Sequence, residues 1–419
     1  MGDRNTRSTR GTRGKILLVL LVFLSPSFCL LMVSAFGGAQ DYPALDLRSI
    51  PISDWLDAGE HADVPWDFGV RDAYLRIDQR LEISYLARID GKDLNRTGKT
   101  HELFLITRIS TPDGEWLNEA SIERHTIEDE LPRRVQIEFF KRAAVQPGDY
   151  ILWVVLYDRK TGKHNIAKRR VKVGEMRGDP LPDLYRRMPL VEFPEVSESD
   201  RNGAGFLKSA LYLPLRNKRP LQVELISLLS PPEQWTGRTR IVRAHNDDTI
   251  GALAALSQME LTDGTMSITG LDLVRRQILF EQRELRGVNW ESLMEALQKA
   301  QRPAISAEAL QGSKNNGAFF REVLNQRLTS EPEEGDALRV IIVVTSSRLF
   351  ESGSDLRPLQ IEGDCHCRVY YLRFRLNVND VFDQLEKMMK PLRPRIFNLL
   401  SPRDLRKAIA EIIDDLGKL

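Results

Sequence analysis

The chain has 419 residues, 42% hydrophobic and 28% charged, with 60 basic residues against 59 acidic ones and a net charge of +1. This composition excludes disorder over most of the length and a strongly basic nucleic-acid binder. At roughly 150 residues per domain the length allows two or three domains, and three cysteines are too few for a disulfide-built scaffold.

Arg4, Arg7, Arg10, Arg13 and Lys15 precede an uncharged run from Ile16 to Phe36, and small residues follow at Gly37-Gly38-Ala39. A basic region, an apolar stretch and a small-residue site make an export signal, with cleavage fitting after Ala35 or Ala39. The alternative is an uncleaved anchor, because residues 16–36 reach the roughly 20 residues a bilayer span needs. Residues 1–39 are therefore a signal peptide or N-terminal anchor. The rest is expected to be exported, periplasmic or extracellular, and to meet a membrane only through that anchor. Losing residues 1–39 removes five basic residues and one acidic one, leaving 55 against 58 and a net charge of −3.

Residues 40–70 read as a lead-in segment rich in Asp and Pro. Over 71–175 short runs alternate with turn signals: Leu81–Ile89, Leu103–Ile109, Val135–Phe139, Tyr150–Tyr157 and His164–Val173. The turns are Thr111-Pro112-Asp113-Gly114, Pro147-Gly148-Asp149 and Arg159-Lys160-Thr161-Gly162. Period-two runs with this punctuation predict an antiparallel, immunoglobulin-like β-sandwich. Trp153 lies in an apolar strand and is expected in the core, whereas Trp66 and Trp116 are open. Asn95-Arg96-Thr97 matches a glycosylation sequon.

Residues 176–210 carry Pro180, Pro182, Pro189 and Pro194 and then the polar stretch 195–205. Prolines this dense exclude helix and central strand, so this is a linker. Over 211–419 the period changes. Strands are expected at Leu221–Leu229, Thr265–Leu273, Gln277–Glu281 (a short partner of the strand before it, in a hairpin), Leu338–Thr345, Arg368–Phe374 and Arg395–Leu399. Helices are expected at Asn246–Met259 (Asn246 or Asp247 as cap), Trp290–Lys299, Ala318–Leu328 and Val378–Met389. A last helix begins after Ser401-Pro402 with Asp404 as reciprocal capping acid. Strands alternating with helices predict a doubly wound, mostly parallel α/β sheet with flanking helices.

That order of elements resembles the von Willebrand factor A (VWFA) domain. More narrowly, the linker LPDLYRRMPLVEF, the strands RVIIVVT and RVYYLRF and the ending PRIFNLLSPRDLRKAIAEIIDDL resemble the exported VWFA-related proteins of acidobacterial type. The resemblance implies a domain that binds protein partners, usually through a divalent cation. That cation is held by an Asp-x-Ser-x-Ser turn after the first strand, a later Thr, and an Asp after the fourth strand. Here the first turn is Ser227-Leu228-Leu229-Ser230-Pro231-Pro232, and Thr345-Ser346-Ser347 stands where Asp-Gly is usual. Both carboxylates are missing, and hydroxyls alone hold a hard cation poorly. The site is therefore read as degenerate, with Ser227, Ser230, Asp272, Thr345 and Ser346 as its vestige. No cofactor is expected; the alternative is Mg²⁺ or Mn²⁺, with Asp247, Asp248 and Asp272 as displaced ligands.

Cys365-His366-Cys367 reads as a thiol pair, free or locally linked, since ligands so close cannot complete a tetrahedral metal site. No Gly-x-Ser-x-Gly, His-Glu-x-x-His or phosphate-binding loop occurs. The reading is a non-enzymatic, exported protein–protein interaction or scaffold protein. The alternatives are a metal-dependent adhesion module and an exported hydrolase.

Overall fold

The structure is a computed structural model, and it describes residues 50–194, 207–231, 239–301, 313–329, 337–348, 350, 354–359, 367–375 and 383–419. The expected export segment lies outside the described residues. Among those described, no helix is long and apolar enough to cross a membrane.

The first region runs α1 (Ile52–Ala58), β1 (His61–Ala62), β2 (Asp67–Leu75), β3 (Leu81–Asp90), α2 (Gly91–Leu94), β4 (His101–Ser110), β5 (Ser121–Ile127), β6 (Gln136–Val145), β7 (Gly148–Asp158), β8 (His164–Val173) and β9 (Val191–Glu192). Its strands form two antiparallel sheets, ordered β1-β8-β7-β4-β5 and β2-β3-β6-β9. Alternation in β3 buries Ile83, Tyr85, Ala87 and Ile89 against Leu103, Leu105, Leu152 and Val154 of the other sheet. Strands β4 and β7 are apolar on both faces. The lead-in explains why: Ile50, Ile52 and Leu56 cover Phe104, Ile106, Trp153 and Val155 on the outer side. The lead-in is thus part of the packing, with each buried Leu or Ile contributing about 1.5–3 kcal/mol.

The first half of the proline-rich stretch is also packed. Leu184, Tyr185 and Met188 are buried, β9 pairs with β6, and the Tyr185 hydroxyl donates to the Gln79 carbonyl at 2.9 Å. Residues 195–206 lie outside the described residues.

The second region runs β10 (Leu213–Leu215), β11 (Leu221–Leu228), α3 (Thr239–Leu256), β12 (Met259–Leu261), β13 (Gly264–Asp272), β14 (Gln277–Gln282), α4 (Trp290–Gln301), α5 (Asn316–Thr329), β15 (Leu338–Ser346), β16 (Cys367–Phe374), α6 (Gln384–Met389), β17 (Arg395–Leu399) and α7 (Pro402–Lys418). Its main sheet is ordered β14-β13-β11-β15-β16-β17. One face packs Val223, Leu225 and Ile342 with Leu253, Leu256 and Ile409, and the other packs Ile226, Leu228 and Val343 with Phe320, Leu324 and Leu385.

These pairings correct the expected fold class. A doubly wound, mostly parallel sheet with flanking helices does not describe the molecule. Antiparallel pairs predominate over the described residues, seven α-helices accompany seventeen strands, and α1 and α2 belong to the first region. The six-stranded sheet is itself mixed: β11, β13, β15, β16 and β17 pair in parallel, while β14 turns back antiparallel to β13. The difference has a physical source. Only four residues join β13 to β14, too few for the crossover that a parallel pair needs, so β14 must return antiparallel.

Two local expectations also shift. Asn246 and Asp247 lie inside α3, which begins at Thr239. The expected helix Val378–Met389 is described only as Gln384–Met389, capped by Asp383 accepting from the Leu385 N–H. At α7, Ser401 accepts from the Asp404 N–H and Asp404 accepts from the Leu400 N–H and the Ser401 hydroxyl. This exchange satisfies N-terminal donors that a helix leaves open.

Candidate functional site

The two regions share one apolar core. Arg406 of α7 crosses between them, 1% exposed, donating Nε to Asp179 Oδ1 at 2.7 Å and Nη1 to the Tyr185 hydroxyl at 2.8 Å. The Gln79 side chain donates to the Pro402 carbonyl at 3.0 Å. Beside this junction opens a cleft of about 1960 Å³, lined by β2, β3 and β6 on one side and by α3, α4 and the β17–α7 turn on the other. Three large apolar side chains exposed among the described residues line it: Tyr74 (43%), Phe140 (48%) and Leu400 (53%).

The polar lining is mostly paired. Glu82 is buried and accepts from the Tyr74 hydroxyl and from Arg76 Nη1 at 2.8 Å, with Arg142 at 3.7 Å. Arg76 also reaches Asp78 at 3.1 Å. Burial, followed by the Glu82 carboxylate, pushes the Tyr74 hydroxyl up to about 12. Across the cleft, burial first and the neighbouring Asp247 second push Asp248 up to about 7. An unfolded aspartate titrates near 3.9, so the folded state holds Asp248 neutral while the unfolded chain ionises it. The stability of the neutral form is full below about pH 4 and is lost as pH rises to 7. Asp248→Asn is expected to raise the melting temperature at pH 8 and leave it nearly unchanged at pH 4. Equal shifts at both pH values would refute this assignment.

The residues singled out as a vestigial cation site lie elsewhere, at the carboxyl ends of β11, β13 and β15. Ser230 Oγ accepts from the Leu273 N–H at 3.1 Å. Asp272 is fully buried and accepts from the Val274 N–H at 2.9 Å and from Arg275 Nη1 at 2.6 Å. Thr345 donates to the Ser346 carbonyl, and Ser227 is buried on β11. Ser346 Oγ lies 2.8 Å from His245 Nδ1, and His245 Nε2 lies 3.1 Å from the Leu228 carbonyl. Since a carbonyl only accepts, Nε2 carries the proton and Ser346 donates to Nδ1. The buried Arg348 guanidinium donates to the Ser230 and Pro231 carbonyls. The five residues are thus close in the sheet, but Ser230, Asp272, Thr345 and Ser346 are each engaged with protein groups. Asp247 and Asp248 lie on α3 in the cleft. Cys367 is in a disulfide, and Cys365 lies outside the described residues.

Burial, and then the charge of Arg348, push the His245 imidazole down to about 3. Above pH 6.5 the ring is neutral folded or unfolded. Below 6.5 the unfolded state takes up a proton that the folded state refuses, so stability falls as pH drops toward 3, by at most about 1.4 kcal/mol per pH unit. His245→Asn is expected to flatten the loss of urea stability between pH 6.5 and 4.5. An unchanged slope would show that other groups carry it.

The tryptophans and the sequon have structural roles. Trp153 is 9% exposed beneath the lead-in, on the outer face of its sheet, and Trp66 packs at the edge of the main core. Trp116 lies under Arg108 at 3.9 Å. The Asn95 side chain donates to the Leu131 carbonyl and accepts its N–H, an internal role that competes with glycan attachment. Sequence reasoning missed the cleft because Tyr74, Phe140 and Leu400 are distant in the chain and individually ordinary.

No protein-family model matches the chain, and no curated protein is similar to it. Among solved structures, the putative ApaA protein from Bordetella pertussis is 13% identical, with 27% of this chain and 98% of that chain covered and a TM-score of 0.18. A β-glucosidase from Listeria innocua is 9% identical, covering 27% of this chain and 17% of that one at a TM-score of 0.17. A family 123 glycoside hydrolase from Clostridium perfringens is 8% identical, covering 80% and 72% at 0.24. Likenesses this slight carry no argument about fold or function, and none of the three is described as a VWFA protein.

Proposed function

We propose that the protein is an exported, non-enzymatic interaction protein that holds an extended segment of a protein partner in the cleft between its two regions. The observation that carries this reading is the cleft itself. At about 1960 Å³ it exceeds the roughly 300–1,000 Å³ typical of small-molecule sites, and Tyr74, Phe140 and Leu400 present apolar surface there that the fold leaves uncovered. Exposed apolar groups rimmed by charge are a mark of interaction sites. The slightly acidic exported chain and the export-type N-terminus support location outside the cytoplasm.

The test is site-specific photo-cross-linking in the native host. A photoreactive residue at Phe140 or Leu400 is expected to trap one discrete partner band, and one at Ile278, exposed on β14 away from the cleft, is expected to trap none. Equal trapping from all three positions, or none from the cleft, would sink the proposal.

A further inference from the structure

A second constellation lies elsewhere in the first region, where the lead-in pairs with strand β8. Here β1 pairs antiparallel with β8, His61 opposite Ile166 and Ala62 opposite Asn165. The pairing continues past the strand. The Asp63 N–H donates to the His164 carbonyl at 3.1 Å, and the His164 N–H donates to Asp63 Oδ2 at 2.9 Å. Asn165 then exchanges two hydrogen bonds with the Val64 backbone, at 3.0 and 2.8 Å. This ladder fixes three side chains side by side: His61, Asp63 and His164.

We infer that His61, Asp63 and His164 form a binding site for a transition-metal dication of the Zn²⁺ class, which clips the lead-in onto β8. His61 Nε2 lies 3.2 Å from Asp63 Oδ1, His164 Nδ1 lies 3.6 Å from Asp63 Oδ2, and one ligand atom from each residue falls within 4.8 Å of the others. Ligands about 2.0–2.2 Å from a tetrahedral Zn²⁺ sit about 3.4 Å apart, and each imidazole is close to that distance from one oxygen of the Asp63 carboxylate, His61 from Oδ1 and His164 from Oδ2. His164 Nδ1 is buried and makes no hydrogen bond, although it points at a carboxylate. Trp55 stacks on that ring at 4.0 Å and 8°, fixing its orientation. On the other side His61 is about half exposed, which leaves a path for the ion and room for water to complete the shell.

The donor set decides the metal class. Two imidazoles and one carboxylate suit Zn²⁺ and its neighbours, whereas Mg²⁺ and Ca²⁺ prefer oxygen throughout. Lys163 Nζ lies 3.6 Å from Asp63 Oδ1 and is the cation a bound metal would displace.

The test is calorimetric titration of chelator-treated full-length protein with zinc chloride, with magnesium chloride as the hard-cation control. One Zn²⁺ per chain is expected, with a rise in melting temperature and no response to Mg²⁺. His61→Ala and His164→Ala should each weaken binding at least about tenfold. His61 is exposed, so its variant keeps the test decisive even where His164→Ala folds poorly. No saturable Zn²⁺ binding, or binding within twofold of wild type in His61→Ala, would overturn the proposal.

Discussion

Arg406→Ala is expected to destabilise the protein by about 3–5 kcal/mol, the range found when one partner of a buried ion pair is removed. The guanidinium is 1% exposed and its planar fork meets both oxygens of Asp179, at 2.7 and 2.5 Å, while also donating to the Tyr185 hydroxyl and the Leu181 carbonyl. Truncation leaves the Asp179 carboxylate largely desolvated with its two strongest donors gone. Lysine cannot replace the fork, because a single ammonium offers no bidentate geometry. The pair as a whole contributes less than either deletion suggests, since two charges had to leave water to form it. The double variant Arg406→Met with Asp179→Leu is therefore expected to lose less than Arg406→Ala alone. Urea denaturation of Arg406→Ala, Asp179→Leu and the double variant measures this, and a double variant as weak as the sum of the two single variants would refute the account.

Gly264→Ala is expected to cost at least about 3 kcal/mol, from two named causes acting together. Gly264 opens β13 at φ +122°, a conformation that L side chains rarely adopt, and an added Cβ would stand 1.9 Å from the Leu221 carbonyl oxygen. Backbone on the neighbouring strand β11 cannot swing aside as a side chain tip can. The pair Leu221–Gly264 begins the parallel register of β11 with β13, so relief would have to come from unzipping the first pairs. Thermal melting checks this. A variant within 1 kcal/mol of wild type would mean that the strand ends separate freely.

Individual elements are legible in the sequence, and their assembly is much less so. Strands at 81–90, 164–173, 338–346 and 395–399, and the capped helix α7, follow from alternation, turn residues and the Ser-Pro-x-Asp start. These signals are local, being set by backbone geometry within a few residues. What the sequence hides depends on partners far away in the chain. The cover over β4 and β7 is one case, because Ile50, Ile52 and Leu56 meet Phe104, Ile106, Trp153 and Val155 only across long stretches of chain. Prolines at 180, 182 and 189 read as a tether, yet Leu184, Tyr185 and Met188 between them are buried against both regions. The cleft is invisible for the same reason, because Tyr74, Phe140 and Leu400 meet only after both regions have packed.

Helix α1 and strand β1 have a consequence for the timing of folding. Their partners on β7 and β8 lie about 100 residues downstream, as the Val64–Asn165 bonds with a separation of 101 show. At about 5–20 residues per second, synthesis places some 5–20 s between the emergence of the two halves of that contact. Throughout that interval β1 lacks its strand partner, and only the β4 part of the surface that the lead-in covers has been made. The backbone ladder of the lead-in thus stays unformed until β8 has been made. Only then does the segment that led the way close over the sheet.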